Sequence, residues 1–411
     1  MISLEKVLSA QNMLLACKRV RVNKGAPGVD GMTVDELEGH FRRHWASICA
    51  HIREGRYIPS PVKRVDIPKP DGGTRMLGIP TVQDRLIQQA IAQVLVEHFD
   101  PTFSEFSYGF RPGRSAHQAI EQTQRYIAEG CSWIVEMDLA KFFDTVNHDR
   151  LISVLERNCR DKMLIRLIRR YLRTGILADG LVTPRDEGTP QGSPLSPILS
   201  LIVLDELDKY LEKRGLKFCR YADDCNIYVA SERAGNRVLT NTIKFIEETL
   251  KLRVNRDKSG VFRPRRAKFL GYTFVGKTGQ PLVHPKSFKR LKDKLRAVFY
   301  RARGGSLFRT IGELNAILRG WRQYFRLDNR KGVFAALDIR RHLRKLVWIA
   351  WKRPRTRERE LQRRGLDDFR AWKSANNGRG AWWNANARHM RDAFPLSFFK
   401  QHGLYSLLAM R

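Results

Sequence analysis

The chain has 411 residues, enough for two to four domains, and its hydrophobic content of 42% is ordinary for a folded protein. Its charge is unusual, because 76 Lys and Arg residues against 42 Asp and Glu residues give a formal net charge of +34. Solubility does not require this excess, so we expect a polyanionic partner. Nucleic acid is the leading candidate. A generally basic surface of the ribosomal-protein type or an anionic membrane surface is the alternative.

The sequence has no run of about 18 apolar residues, and its N-terminus lacks the apolar core and the cleavage site of a signal peptide. We therefore expect a cytoplasmic protein that does not enter a membrane. The six cysteines are scattered without a C-x-x-C pair, which argues against a zinc knuckle or a disulfide framework and predicts buried thiols.

The N-terminal region begins with an amphipathic helical pattern that ends near residue 22, followed by a loop rich in Gly and Pro and by a second helical pattern. The segment VKRVDIPKPDGGTRMLGIP then alternates on both sides of a glycine turn, which predicts a β-hairpin. Lys69 and Arg75 lie near its tip. They could close over a triphosphate, or the hairpin could be a plain surface feature.

Two further helices are predicted in TVQDRLIQQAIAQVLVEHFD and in the stretch that begins at Ser115 of SYGFRPGRSAHQAI. The apolar run SWIVEMD then predicts a strand that ends at Asp138. In FCRYADDCNIYV, two strand-like halves flank Asp223 and Asp224, which predicts a tight hairpin with the aspartates at its tip.

If these strands pair, Asp138 and Asp223 lie together. Clustered carboxylates repel one another unless cations lie between them, and Mg²⁺ prefers carboxylate, phosphate and water oxygens. Two Mg²⁺ ions can activate an attacking hydroxyl and stabilise a leaving pyrophosphate, which is the chemistry of nucleotidyl transfer. The alternative for the pair alone is a turn in which Asp makes local hydrogen bonds.

The last third of the chain is the most basic, since residues 281–411 hold 32 Lys and Arg residues against 9 Asp and Glu residues and six of the eight tryptophans. Basic side chains interleaved with aromatic ones suit phosphate contact as well as helix packing. Apolar residues at helical spacing predict three packed helices, with Pro354 ending the third. The charged run RPRTRERELQRRG after it is either a solvated helix face or a contact surface.

Taken in order, these motifs resemble the bacterial group II intron-encoded reverse transcriptases and maturases, in particular the compact class that lacks an endonuclease domain. The resemblance covers nearly the whole chain. It is carried by GAPGVDGMT, IPKPDGGTRMLGIP, SYGFRPGRSAHQAI, MDLAKFFDTVNHDRL, GTPQGSPLSPILSLIVLDELD, RYADDCNIYV, LKLRVNRDKSGV and KFLGYTF.

The resemblance implies an α+β fold of the right-hand polymerase type, with fingers, a palm with an antiparallel sheet, and a helical thumb. The expected domains are an N-terminal extension with fingers at 1–125, a palm with some fingers elements at 126–280, a thumb and maturase domain at 281–375, and a short basic segment that contacts DNA or RNA at 376–411. Expected partners are group II intron RNA, an RNA template with a DNA primer and DNA target, and dNTPs.

Family roles are transferred only to matching positions. Asp138, Asp223 and Asp224 resemble the catalytic carboxylates that bind two Mg²⁺ ions, with Asp224 in a supporting role and Leu139 as a further metal and dNTP contact. The other expected dNTP contacts are Lys69, Arg75, Gln191, Lys258 and Phe143, whose ring matches the position that excludes a ribose 2′-OH. The primer 3′ end is expected at Phe269, Leu270, Gly271 and Tyr272.

Several of these residues have a plainer interpretation. Phe143 could be a core residue, Lys258 a surface lysine and the FLGY run a buried hairpin turn. Ser193 stands where the family often has a second glycine. We interpret Asp144 as a residue that caps or stabilises the turn into TVNHDRL rather than as a catalytic acid, and His117 and His148 as structural residues.

The resemblance therefore predicts an RNA-directed DNA polymerase that binds its intron RNA, assists splicing and copies the RNA into DNA at a target during retrohoming. Such a protein would be located with the bacterial nucleoid or in ribonucleoprotein. A related polymerase recruited to DNA repair or phage defence is the alternative, as is a purely RNA-binding splicing factor, against which the three intact aspartates argue.

Overall fold

The structure is a computed structural model, and it describes residues 2–68, 72–178, 181–183, 187–188, 192–330 and 337–407. The chain divides into two compact units. The N-terminal unit comprises Met1–Phe269 with Gly276–Gly279, and the C-terminal unit comprises Leu270–Val275 with Gln280–Arg411.

The N-terminal unit combines helices with short strands. Its helices are α1 Leu4–Leu8, α2 Ala10–Asn23, α3 Leu37–Arg53, α4 Val82–Phe99, α5 Ala116–Ala128, α6 Phe142–Thr145, α7 His148–Asn158, α8 Lys162–Arg173, α9 Ser196–Lys213 and α10 Glu232–Lys244. A 3-10 turn at Asp100–Thr102 follows α4, and a π-helical turn at Phe245–Thr249 follows α10. Its strands are β1 Val62–Pro68, β2 Thr74–Ile79, β3 Trp133–Asp138, β4 Ile176–Ala178, β5 Leu181–Thr183, β6 Lys217–Tyr221, β7 Asp224–Val229 and β8 Gly260–Phe262.

Within the described residues, these strands form two four-stranded sheets, in the orders β2-β1-β4-β5 and β6-β7-β3-β8. In the first sheet β1 and β2 are antiparallel, with Pro68 opposite Thr74, which confirms the predicted hairpin. The second, central sheet is antiparallel throughout. It confirms the predicted pairing of the SWIVEMD strand with the second half of FCRYADDCNIYV.

The central sheet has one apolar face and one face that carries acidic residues, because alternate side chains of a strand point to opposite sides. Val135 and Met137 of β3 are buried in the core together with Ile227 of β7. Helix α9 packs against β6, α4 and α7. Glu136 and Asp138 consequently lie on the face away from this core.

The C-terminal unit is mostly helical. It contains β9 Tyr272–Val275 and β10 Gln280–Val283, which pair in antiparallel orientation, followed by α11 Pro285–Arg301, α12 Leu307–Tyr324, α13 Ile339–Ala350, α14 Pro354–Gln362, α15 Asp368–Ala375, α16 Ala381–Asn384, α17 Arg388–Ala393 and α18 Leu396–Gln401. Helices α11 to α13 confirm the three helices predicted from apolar spacing, apart from residues 331–336, which lie outside the described chain.

A separate hydrophobic core holds this unit together. Leu291 and Leu295 on one face of α11 are buried with Leu314 of α12, Leu343 and Trp348. The spacing of four residues places both leucines on the same side of the helix, and Lys292, Asp293 and Lys294 between them lie on its outer faces.

Two of the local predictions about helix ends need correction and one is confirmed. The N-terminal helical pattern is divided into α1 and α2 by Ser9, whose backbone is extended. Helix α7 is capped by Asn147, whose side chain accepts from the N–H of Arg150 at 2.9 Å, whereas Asp144 lies within α6. The predicted cap at Ser115 is confirmed as a capping box with Gln118.

Pro354 begins a helix rather than ending one. Helix α13 already ends at Ala350, and Pro354 is the first residue of α14, where a missing backbone N–H costs nothing. The charged run after it is not only a solvated face, because Leu361 is buried and the Arg357 guanidinium lies 4.7 Å from the centroid of the Trp348 ring.

The cysteines are free thiols, five of them buried and Cys17 half-buried, as expected. In the described part of the chain, no helix is long and apolar enough to span a bilayer.

The buried imidazole of His389 makes the C-terminal unit sensitive to acid. Its ring lies 5.4 Å from that of Trp348, and its Nε2 has no hydrogen-bond partner in the described chain. Burial lowers the pKa of His389 to about 4, with Asp392 opposing this effect and Arg370 adding to it. Because the folded pKa is the lower one, protons bind preferentially to the unfolded chain, and stability is lost as the pH falls from about 6.5 towards 4.

We expect this residue to remove roughly 2 kcal/mol of stability from the C-terminal unit between pH 7.5 and pH 5. Urea unfolding, with hydrogen exchange followed in residues 337–407, measures the loss. His389→Phe keeps an aromatic ring that cannot be protonated, so its stability should depend less on pH. Equal losses in both proteins would show that His389 is not the responsible group.

Candidate active site

Two aspartates face each other at the end of the central sheet where β3 ends and β7 begins. Asp138 is the last residue of β3, Asp224 is the first of β7, and the register pairs them directly. Directly opposed residues of antiparallel strands have Cβ atoms about 5 Å apart on the same face. The two carboxylates are therefore neighbours. The sequence predicted closeness of Asp138 and Asp223, which stays a prediction.

Asp223 lies at the tip of the hairpin formed by β6 and β7. Tyr221 pairs with Asp224, so Ala222 and Asp223 form a two-residue turn between the strands. Ala222 has a φ of 58°, in the left-handed region that favours glycine. The turn places Asp223 next to the opposed pair.

The electrostatics confirm that these carboxylates are close to one another. Burial raises the pKa of Asp224 to about 8, and the charges of Glu136, Asp223 and Asp138 act in the same direction, while Lys268 opposes them. The charges of Glu136, Asp223 and Asp138 make the potential at Asp224 more negative, which is a condition that attracts cations.

Glu136 and Asn226 extend the acidic face behind the aspartates. They pair with each other across β3 and β7, one step further along the ladder. The Glu136 carboxylate accepts a hydrogen bond from the backbone N–H of Lys268 at 2.5 Å. The Asn226 amide is fully buried, and neither of its polar atoms has a partner within the described chain. The sequence analysis missed both residues, although the alternation in WIVEMD places Glu136 on the same face as Asp138.

The donor set fits a magnesium site that substrate completes. Among the described residues, no three His, Cys, Asp or Glu side chains form a group that encloses a metal ion by itself. Polymerase sites do not need such a cage, because Mg²⁺ is held there by one or two carboxylates together with substrate phosphates and water. Asp138, Asp223 and Asp224 supply hard oxygen ligands of the required kind.

Backbone hydrogen bonds fix the end of β3 to the NRDKSG segment. The N–H of Asp138 donates to Oγ of Ser259 at 3.0 Å, and the N–H of Asn255 donates to the carbonyl of Asp138 at 2.8 Å. Lys258 lies in this segment and its side chain is exposed. The structure therefore brings the Lys258 backbone close to Asp138.

Leu139 and Phe143 follow Asp138 in the chain. The Leu139 side chain is buried in the core, so only its main chain is available for the predicted metal and dNTP contacts. Phe143 lies in α6 and is half-buried, with its ring centroid 5.3 Å from that of Phe142. It is therefore partly packed and partly accessible, and its role at the nucleotide stays a prediction.

Described residues before and after Gln191 in the sequence are held by hydrogen bonds. The N–H of Gly188 donates to the carbonyl of Val146 at 2.8 Å, and Oγ of Ser193 donates to Oε1 of Gln88 at 2.7 Å. Ser193 thus has a definite partner at the position where the family often has glycine. Gln191 and Lys69 lie outside the described residues. The backbone of Arg75 pairs with Ile67 in the β1–β2 hairpin, and its side chain is likewise not described.

The predicted primer contacts Phe269, Leu270, Gly271 and Tyr272 fall at the division between the two units. Phe269 is fully buried in the N-terminal unit. In the C-terminal unit, Leu270 and Gly271 have φ values of 49° and 84°, and Oγ of Ser287 donates to the Gly271 carbonyl at 3.0 Å. The FLGY run is thus a tight turn held by α11.

Comparison with known families defines the class of the protein. Residues 67–274, more than half of the chain, match the family described as reverse transcriptase (RNA-dependent DNA polymerase). The chain therefore belongs to the reverse transcriptases, which are RNA-directed DNA polymerases and generally use divalent metal ions. Residues 288–365 match the group II intron maturase-specific domain. Both matches confirm the resemblance seen in the sequence motifs.

Curated relatives support the same assignment. Protein YkfC of Escherichia coli K12 is 31% identical over 298 residues, which cover 62% of this chain and 78% of YkfC. Group II intron-encoded protein LtrA of Lactococcus lactis subsp. cremoris is 35% identical over 248 residues, 60% of this chain and 40% of LtrA. Nuclear intron maturase 2 of Arabidopsis thaliana is 30% identical over 178 residues, 34% of this chain and 24% of its own length. The chain thus spans less than half of the last two relatives.

Solved structures with detectable similarity include a partial Cas6-RT-Cas1–Cas2 complex, with 25% identity, a TM-score of 0.38, and coverage of 60% of this chain and 42% of that chain. Telomerase from Candida albicans, solved with a fragment of telomeric RNA, has 14% identity, a TM-score of 0.45, and coverage of 86% and 71%.

Removing the charge of Asp224 should stabilise the metal-free protein. The folded pKa of about 8 exceeds the ordinary value of 3.8, so this residue penalises folding increasingly as the pH rises from about 4 to 8. Asp224→Asn keeps the shape and removes the charge. In buffer with a chelator, its Tm should exceed that of the wild type by several degrees at pH 8 and by much less at pH 5.

The matched control is Asp257→Asn, which changes an exposed aspartate in the NRDKSG segment and should leave Tm within about one degree of the wild type. A lower Tm for Asp224→Asn at pH 8 would contradict the crowding of charges described above.

Proposed function

We propose that this reverse transcriptase synthesises DNA by nucleotidyl transfer with two Mg²⁺ ions held at Asp138, Asp223 and Asp224. The observation that supports the proposal is the register that opposes Asp138 and Asp224 at the end of the central sheet, with Asp223 on the adjoining turn. Asp138 and Asp223 are the direct ligands in this proposal, together with the main chain of Leu139. Asp224 supports them from the first position of β7.

When bound, the ions lower the pKa of the primer 3′-hydroxyl and neutralise charge on the departing pyrophosphate. The contribution of the chain is to hold the ligands in place before substrate arrives. Hydrogen bonds of the sheet fix Asp138 and Asp224, and the NRDKSG segment fixes the main chain of Asp138. Rigid placement of this kind is what electrostatic catalysis requires.

The incoming dNTP is proposed to lie against the β1–β2 hairpin. Lys69, Arg75 and Lys258 would contact its phosphates, because Lys and Arg are the usual phosphate ligands of polymerase fingers. Gln191 would line the pocket beside the template base. Gly188 and Ser193, the described residues nearest to Gln191 on either side in the sequence, are each held by a hydrogen bond.

We assign the C-terminal unit, with residues 281–375 as thumb and maturase domain, to the binding of group II intron RNA. It carries exposed aromatic rings paired with cations: Arg303 lies 4.7 Å from the Tyr300 ring centroid and Arg341 lies 4.1 Å from that of Trp382. Such pairs suit phosphate contact and base stacking. The chain would then assist splicing and copy the intron RNA at a DNA target, with residues 376–411 as an additional nucleic-acid contact.

Asp223→Ala should abolish extension of a DNA primer on an RNA template, because one ligand of the ions is lost. Its affinity for intron RNA and its effect on splicing should remain near those of the wild type, since they depend on the C-terminal unit. Gel-based extension and filter binding measure the two activities. Asp257→Ala, an exposed aspartate, is the control and should extend normally. Near-normal extension by Asp223→Ala would exclude the proposed site.

Phe143→Ala should weaken the discrimination between dNTP and rNTP, since the ring is proposed to block a ribose 2′-hydroxyl. We expect the ratio of kcat/KM values for the two nucleotides to fall on the order of 10- to 100-fold. Phe308→Ala, which removes an exposed ring of the C-terminal unit, should leave this ratio unchanged. If Phe143→Ala retains wild-type selectivity, the ring has only a packing role.

A further inference from the structure

The hairpin turn that carries Asp223 has a backbone that its sequence does not favour. Ala222 is held at a φ of 58°, which costs a residue other than glycine about 1–2 kcal/mol. Such conformations persist only where the surrounding structure enforces them. Contacts with neighbouring residues must therefore hold the turn in place. Several of these contacts involve Arg220.

The Arg220 side chain leaves β6 towards the interior and returns to the turn. Its Nη1 donates to the carbonyl of Ala222 at 2.9 Å, and its Nη2 donates to Oγ of Ser107 at 2.8 Å. Its Nε donates to Oδ1 of Asp208 on α9 at 2.7 Å, and Nη2 completes a two-point ion pair. Arg220 and Asp208 are completely buried. One planar group thus connects the turn, α9 and the segment that precedes α5.

The stretch Phe106–Phe110, which includes the SYGF motif, contacts the β6–β7 hairpin at its turn. The N–H of Arg220 donates to the carbonyl of Phe106 at 2.9 Å, and the N–H of Tyr108 donates to the carbonyl of Arg220 at 2.8 Å. A Cβ on Gly109 would lie only 2.3 Å from the backbone nitrogen of Ala222. The segment therefore reaches the turn only because residue 109 has no side chain.

A fully buried ion pair is a costly way to fill a core. Each ion loses several kcal/mol of hydration, and apolar residues of the same volume often give equal or greater stability. The guanidinium can do what apolar side chains cannot, because its fixed donors point in several directions within one plane. The donor that reaches the Ala222 carbonyl fixes the distance between the turn and α9.

We propose that Arg220 is a positioning residue for the polymerase reaction. Together with Asp208 it sets the location of the Ala222–Asp223 turn, and therefore of the Asp223 carboxylate relative to Asp138. Arg220 acts through the turn, because it lies on the face of the sheet opposite to Asp224. This inference rests on the proposed function, since the metal-binding role of Asp223 is what gives the position of the turn a catalytic consequence.

The first test removes the ion pair and keeps its volume. The double variant Asp208→Leu/Arg220→Met should remain folded, with a Tm near that of the wild type. Its kcat for primer extension should fall on the order of 10- to 100-fold, and the half-saturating Mg²⁺ concentration should rise about tenfold, with little change in KM for dNTP. Arg220→Lys keeps the charge but loses the planar fork, so it should show the same pattern.

The second test displaces the turn without touching the ion pair, so it applies even if the double variant does not fold. Gly109→Ala introduces a Cβ against the Ala222 backbone and should lower kcat and raise the Mg²⁺ requirement in the same way. The control is Gly39→Ala in α3, where an added Cβ meets no atom within 4 Å. This control should extend primers like the wild type.

Wild-type kcat and Mg²⁺ dependence in Gly109→Ala and in folded variants of Arg220 would overturn the inference and leave the ion pair a structural feature. Such an outcome would count against Arg220 alone, and leave the proposed function intact, if the wild type extends primers and Asp223→Ala does not. If the wild type fails to extend primers, or Asp223→Ala extends them normally, the proposed function fails and the inference fails with it.

Discussion

The central constraint in this protein is the crowding of negative charge at one end of an antiparallel sheet. Asp138 and Asp224 are held opposite each other by backbone hydrogen bonds, with Asp223 on the adjoining turn and Glu136 behind them. Burial, and after it repulsion by the neighbouring acids, raises the pKa of Asp224 to about 8. This arrangement opposes folding unless protons or cations relieve it, so the fold provides stability elsewhere to maintain a site that attracts cations.

That stability comes from elements other than the acidic face of the sheet. The apolar face of the sheet packs into the large N-terminal core, where Val135 and Met137 are buried. Arg220, paired with Asp208, holds the hairpin turn from the apolar face of the sheet, and Ser259 accepts a hydrogen bond from the end of β3. The C-terminal unit has its own core. In the proposed function, this unit would supply most of the nucleic-acid binding and the N-terminal unit would supply the chemistry.

The elements with strong local signals could be predicted from the sequence. Alternation on both sides of a glycine turn predicted the β1–β2 hairpin, and the apolar strand before Asp138 together with the FCRYADDCNIYV hairpin predicted the pairing that brings the aspartates together. Apolar spacing predicted the C-terminal helices.

Local signals failed where the same residues were compatible with two assignments. Pro354 can follow a helix or begin one. Both Asp144 and Asn147 can cap a helix. The partners of Arg220 were not predictable, because Asp208 and Ser107 approach it only in the folded chain. Glu136 could have been found from the alternation of β3.

The most direct test of this account is to locate the metal ions. Crystals of the protein with an RNA template, a DNA primer and a non-reactive dNTP analogue, grown with Mn²⁺ in place of Mg²⁺, would reveal the ions by anomalous scattering. The account predicts two Mn²⁺ peaks between Asp138 and Asp223, about 3.5–4 Å apart and in contact with the triphosphate. A bound triphosphate with its Mn²⁺ ions away from these two carboxylates would contradict it.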